Sequence, residues 1–142
     1  MVRILKFYLV IFGLQILLLS NATYSFAQVD PTKALVGNWE GQVETQSNNQ
    51  RSLFIRSVEP AESGEWIAVG RIGPTRGDAE KEGGVKMKVY SKDNDIYIDY
   101  PGKIDARLKL LGVDKLAGTI EAVDRGKTGP RRVMFEKIKD IK

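Results

Sequence analysis

After residue 35 the chain keeps no helical period. It is a succession of short runs in which every second residue is apolar. Val85, Met87 and Val89 alternate with Lys86 and Lys88, and Ile104, Ala106, Leu108 and Leu110 alternate with Asp105, Arg107 and Lys109. A period of two puts one set of side chains on each face of a strand, so each run reads as a half-buried β-strand. The first run carries Trp39, Gly41, Val43 and Thr45 on one face and Asn38, Glu40, Gln42 and Glu44 on the other. Further runs follow at Ser52–Val58, Glu65–Ile72, Val85–Tyr90, Ile96–Tyr100, Ile104–Leu110, Leu116–Ala122 and Arg131–Ile138. In the second run Phe54 breaks the alternation, which leaves its inward face undecided.

The runs are separated by turn chemistry: Gln46–Gln50, Glu59–Gly64 with both Pro and Gly, Lys92–Asp95, Pro101-Gly102, Gly112–Asp114 and a Gly-rich loop from Asp124 to Pro130. Gly73–Gly84 is the longest loop. Short consecutive connections favour antiparallel neighbours. About eight such strands predict an all-β, up-and-down antiparallel barrel, which leaves no exposed edge. The alternative is an open sandwich. Gly41, Gly70 and Gly118 fall inside strand patterns and mark bends or close backbone approach, or else early strand ends. The chain contains no cysteine, so packing alone must hold the domain together without the disulfides common in small exported proteins.

The N-terminus has a different character. Arg3 and Lys6 precede an apolar run from Phe7 to Leu19, and Ser25-Phe26-Ala27 supplies small residues at −3 and −1. This is the pattern of a signal peptide over residues 1–27, cleaved after Ala27, with a single β-barrel domain at 28–142. The alternative is an uncleaved anchor. The run is shorter than the roughly 20 residues needed to cross a bilayer, and no later stretch reaches that length, so no stable membrane span is expected after cleavage. The expected location is periplasmic or secreted, and the leader style and lack of cysteine favour a bacterial periplasm. The formal charge of +4 includes Arg3 and Lys6. Acids and bases are otherwise mixed, which argues against a nucleic-acid partner.

Gly37-x-Trp39 at the head of an eight-strand meander resembles the opening motif of the lipocalin-like, or calycin, barrels. The resemblance implies that Trp39 closes the barrel base, that Gly37 allows close approach there, and that an arginine of the last strand packs across the indole. Arg131 and Arg132 are the two candidates. Family membership would also imply a small apolar ligand. The form Gly37-Asn38-Trp39-Glu40-Gly41 looks closer to small exported bacterial barrel domains than to the larger lipocalins.

Catalysis has little material. With no histidine and no cysteine in the chain, Ser-His and Cys-His nucleophile systems and the usual zinc sites are excluded. Asp93, Asp95, Asp99 and Asp105 lie in or beside turns, where acids serve turn geometry. Asp93-Asn94-Asp95 lacks the rest of a calcium loop. Gly126-Lys127-Thr128 lacks the earlier glycine of a phosphate-binding loop. No enzyme, metal or cofactor is therefore expected.

The leading expectation is an exported module that binds an apolar or amphipathic small molecule, lined by Trp66, Val69, Met87, Val89, Ile98, Tyr100 and Leu108. The alternative is a non-catalytic structural or interaction protein of the cell envelope with a solid barrel core. Three surface features accompany these: an aromatic patch of Trp66, Tyr90, Tyr97 and Tyr100, a basic stripe of Lys86, Lys88, Arg107 and Lys109, and an exposed Arg76-Gly77-Asp78 tripeptide.

Overall fold

A computed structural model describes residues 28–44, 50–122 and 129–139. The leader, most of the first turn (45–49) and most of the loop from Asp124 (123–128) lie outside the described residues. Elements run in the order α1 (Pro31–Ala34), β1 (Gly37–Val43), β2 (Gln50–Pro60), β3 (Trp66–Gly73), α2 (Arg76–Glu80), β4 (Val85–Lys92), β5 (Asp95–Tyr100), β6 (Ile104–Leu111), β7 (Lys115–Ala122) and β8 (Arg131–Lys137).

The eight strands form a closed barrel in sequence order. Each pairs antiparallel with the next, and β8 returns to β1 through Trp39↔Lys137 to Val43↔Val133. Closure removes the unpaired edges that a sandwich would leave. The ring also fixes two poles. The base carries α1 and the β2–β3, β4–β5 and β6–β7 turns; the opposite pole carries the β3–β4 and β5–β6 connections.

Alternation sets the interior. On β4, Met87 and Val89 are buried while Lys86 and Lys88 are exposed, and on β5, Ile96, Ile98 and Tyr100 are buried. The ambiguity at Phe54 comes from an extra residue. The β2–β3 register shifts between Ile55 and Ser57. Leu53, Ile55 and Val58 therefore all point inward, three apart across the bulge, and Phe54 points outward.

Two short helices replace expected irregular backbone. Asp30 caps α1, its carboxylate accepting from the Thr32 amide at 3.0 Å and the Thr32 hydroxyl at 2.7 Å. Those hydrogen bonds hold the Asp30 carboxyl below its ordinary pKa. Pro31 then stands at the first helical position, where a missing N–H is harmless. In the β3–β4 loop Thr75 caps α2, accepting from the Asp78 amide at 3.2 Å. Outer-face residues strap this loop to the barrel: Arg56 donates to the Lys81 carbonyl and Arg71 to the Glu82 carbonyl. The Arg76-Gly77-Asp78 tripeptide thus sits in a helical turn, with Arg76 paired to Glu80 at 2.7 Å and Asp78 to Lys81 at 2.6 Å.

Candidate functional site

The base of the barrel is the most elaborately built part of the molecule. Leu35 and Trp39 are both fully buried. The Trp39 indole N–H donates to the Leu35 carbonyl at 2.9 Å. The Lys137 ammonium lies 5.4 Å from the Trp39 ring centroid and donates to the Ala34 carbonyl at 2.7 Å and the Lys33 carbonyl at 3.5 Å. The last carbonyls of α1, which the helix itself leaves unpaired, are thereby met by side chains of β1 and β8. Gly37 adopts φ +131, and a Cβ there would come within 3.2 Å of Lys137 Cε. The glycine makes both the turn and the room for the lysine stem.

The cation over the indole is Lys137, which corrects the expectation of Arg131 or Arg132. Those two pair with Ile120 and Thr119, near the pole opposite Trp39, and the exposed Arg132 lies 4.0 Å from Glu44. The reason is direction. β8 runs antiparallel to β1, so the end of β8, not its start, crosses the head of β1.

Burial pushes the Lys137 ammonium pKa below the ordinary lysine value. The native state then releases this proton at a lower pH than the unfolded chain does. Between those two values the unfolded state binds more protons, so this group makes stability rise with pH. Urea midpoints measured between about pH 8 and 10.5 are expected to fall less, or rise more, in the native protein than in a Lys137→Met variant. Parallel curves would show that the ammonium is not desolvated.

The expected pocket lining separates into three groups. Met87, Val89, Ile98 and Leu108 are 1, 0, 0 and 1% exposed, and with Tyr100 at 5% they belong to one packed cluster. A side chain facing a water-sized void would show accessible area toward it, and these four show almost none. Trp66 is half-buried at the base and packs against the cluster. Val69 corrects the expectation: it alternates with buried Ala68 and Gly70 and so lies on the outer face, opposite Lys86. Tyr100 spans the interior and accepts from the buried Ile72 amide at 3.3 Å, beyond the last β3–β4 pair at Gly70↔Val85.

The aromatic patch therefore divides. Tyr100 goes in, while Tyr90 and Tyr97 stack outside with centroids 5.5 Å apart and planes at 15°. Lys88 covers the Tyr90 ring at 5.5 Å and Lys109 covers Tyr97 at 5.9 Å. This Lys–Tyr–Tyr–Lys ladder engages the ring faces that a sugar would need. Two members of the basic stripe meet acids, Lys88 with Glu65 at 3.0 Å and Lys109 with Asp95 at 2.6 Å, while Arg107 stands opposite Asp99 and Lys86 opposite Val69. The Asp95 hydrogen bond raises the Lys109 pKa. Asp93 and Asn94 take φ 52 and 66 in the β4–β5 hairpin, which is turn geometry. Among the described residues no group of three or more acidic side chains is placed to hold a metal ion.

A groove that the sequence did not suggest lies on the outside of the β2–β1–β8 seam. It measures about 350 Å3 and is lined by Glu40, Gly41, Gln42, Gln50, Met134 and Glu136. Met134 is 48% exposed there. Alternation puts Glu40 and Gln42 on the face opposite buried Trp39, but only the β1–β8 register brings Met134 and Glu136 beside them.

Comparison with protein-family models, with curated proteins and with solved structures gives no match to this chain.

Proposed function

We propose that the protein is an exported, non-catalytic interaction module. Its barrel is a solid scaffold, and its outer face meets a partner in the cell envelope. The observation that carries this reading is the burial of Met87, Val89, Ile98 and Leu108 in one cluster. An eight-stranded barrel is just wide enough for side chains to fill, or to hold one small ligand. Here the residues that would touch such a ligand touch each other. Export is inferred from the basic, apolar and small-residue order of residues 1–27. Kinship with lipocalin-like barrels is supported by Gly37-x-Trp39 and by a last-strand cation over the indole, with Lys137 in that role.

Titration of the purified protein with medium- and long-chain fatty acids and an environment-sensitive apolar dye tests the reading. Tryptophan fluorescence and the thermal midpoint are expected not to respond. Saturable one-to-one quenching would mean that the interior opens to a ligand, and would replace this proposal with the small-molecule reading.

A further inference from the structure

The groove over the β1–β8 seam breaks a local rule of sheet construction. Glu40 and Glu136 are direct cross-strand partners, both on the outer face. Like charges placed directly opposite destabilise a sheet. Lys115 approaches Glu136 at only 3.6 Å. Among the described residues Glu40 has no ion-pair partner. One row further along, Gln42 stands opposite both Met134 and Gln50. Two carboxylates, two amides and an exposed thioether thus surround one recess.

We propose that this recess receives an arginine side chain of a partner polypeptide, an inference that rests on the interaction-module reading. The chemistry fits part by part. A guanidinium is planar, always charged and able to bridge two carboxylates with paired N–H donors. Its aliphatic stem is a match for Met134, and the Gln42 and Gln50 amides take the polar atoms beside it. The cation relieves the Glu40–Glu136 repulsion that the free sheet carries.

The surroundings favour a polypeptide over a free small cation. The row that contains Met134 continues through Ala117, Lys109, Tyr97 and Tyr90 across successive strands. Lys109 is its one charge, and Asp95 offsets it. The ring faces of Tyr90 and Tyr97 are taken by each other and by Lys88 and Lys109, but tyrosine and methionine are residue types enriched where proteins meet. Residues flanking the arginine would lie along this row.

The probe is acetyl-Leu-Arg-Leu-amide, titrated into the purified full chain and followed by amide chemical shifts. Controls are the citrulline peptide, which keeps the shape and loses the charge, and N-butylguanidinium. The arginine peptide is expected to bind saturably, with shifts at Glu40, Gln42, Met134 and Glu136. The citrulline peptide and the Glu40→Gln/Glu136→Gln variant are each expected to bind about tenfold more weakly, and added salt to weaken the arginine peptide. Equal affinity of the arginine and citrulline peptides, or shifts elsewhere, would overturn the site. Butylguanidinium binding as tightly as the peptide would overturn the polypeptide assignment. No response to either fatty acids or arginine sinks this site alone, whereas a fatty-acid response sinks the module reading beneath it.

Discussion

Replacing Trp39 with alanine is expected to destabilise the barrel by about 3–5 kcal/mol, a large share of the 5–15 kcal/mol typical of a domain. Three losses combine. The largest fully buried side chain disappears from the core. The Leu35 carbonyl loses its indole donor, and a buried polar group left unpaired costs roughly 1–3 kcal/mol by itself. Lys137 also loses the ring beneath its ammonium. These terms share one site and do not add. Urea unfolding followed by far-UV circular dichroism measures the total, and the thermal midpoint is expected to fall by roughly 10–20 °C. Trp39→Phe keeps an aromatic ring in the core but removes the N–H and part of the indole volume, so it is expected to lose less than Trp39→Ala. A Trp39→Ala loss below about 1 kcal/mol would show that the base is not sealed by this residue.

The second large effect is expected at Gly118, on the inner face of β7. It stands opposite Leu108 of β6. A Cβ at Gly118 would run into the Arg107 carbonyl oxygen and lie 2.9 Å from the Arg107 carbonyl carbon and 3.0 Å from Leu108 Cα. All three atoms are backbone, so no side chain can swing aside. Gly118→Ala must spread β6 from β7 in the middle of their ladder, at a cost of about 3 kcal/mol or more. Gly112→Ala separates sterics from backbone strain: φ there is +65 and no atom lies within 4 Å of the added carbon. It is expected to cost about 1 kcal/mol. Equal midpoints for the two variants in the same urea titration would mean that contact between β6 and β7 is not what forbids a side chain at Gly118.

Much of this architecture was legible in the residues because strand parity is a local property. Met87 and Val89 against Lys86 and Lys88, or Ile98 and Tyr100 against Tyr97 and Asp99, settle which way each side chain faces from neighbours alone. Register is not local. Lys137 meets Trp39, and Glu136 meets Glu40, only because of where β8 begins and ends around the ring. Nothing in the Arg131-Arg132 doublet reveals that those side chains stop near the far pole. The bulge at Arg56 was visible only as a break in pattern at Phe54. Helices of four and five residues are too short to show a period, although Asp30-Pro31 and Thr75 with Asp78 carried their capping signals. Whether the barrel is filled or hollow was also hidden, because alternation says which residues point inward and not how much room remains between them.

The joint that completes the ring has a consequence for the timing of assembly. The Lys137 ammonium reaches a carbonyl 103 residues earlier in the chain, and β1 has no second neighbour until β8 is present. Contacts so distant in sequence reward the chain only after the entropy of a long loop has been overcome. A chain made from its N-terminus would therefore remain an incomplete ribbon. It would lock into its cylinder only after its final strand had been added.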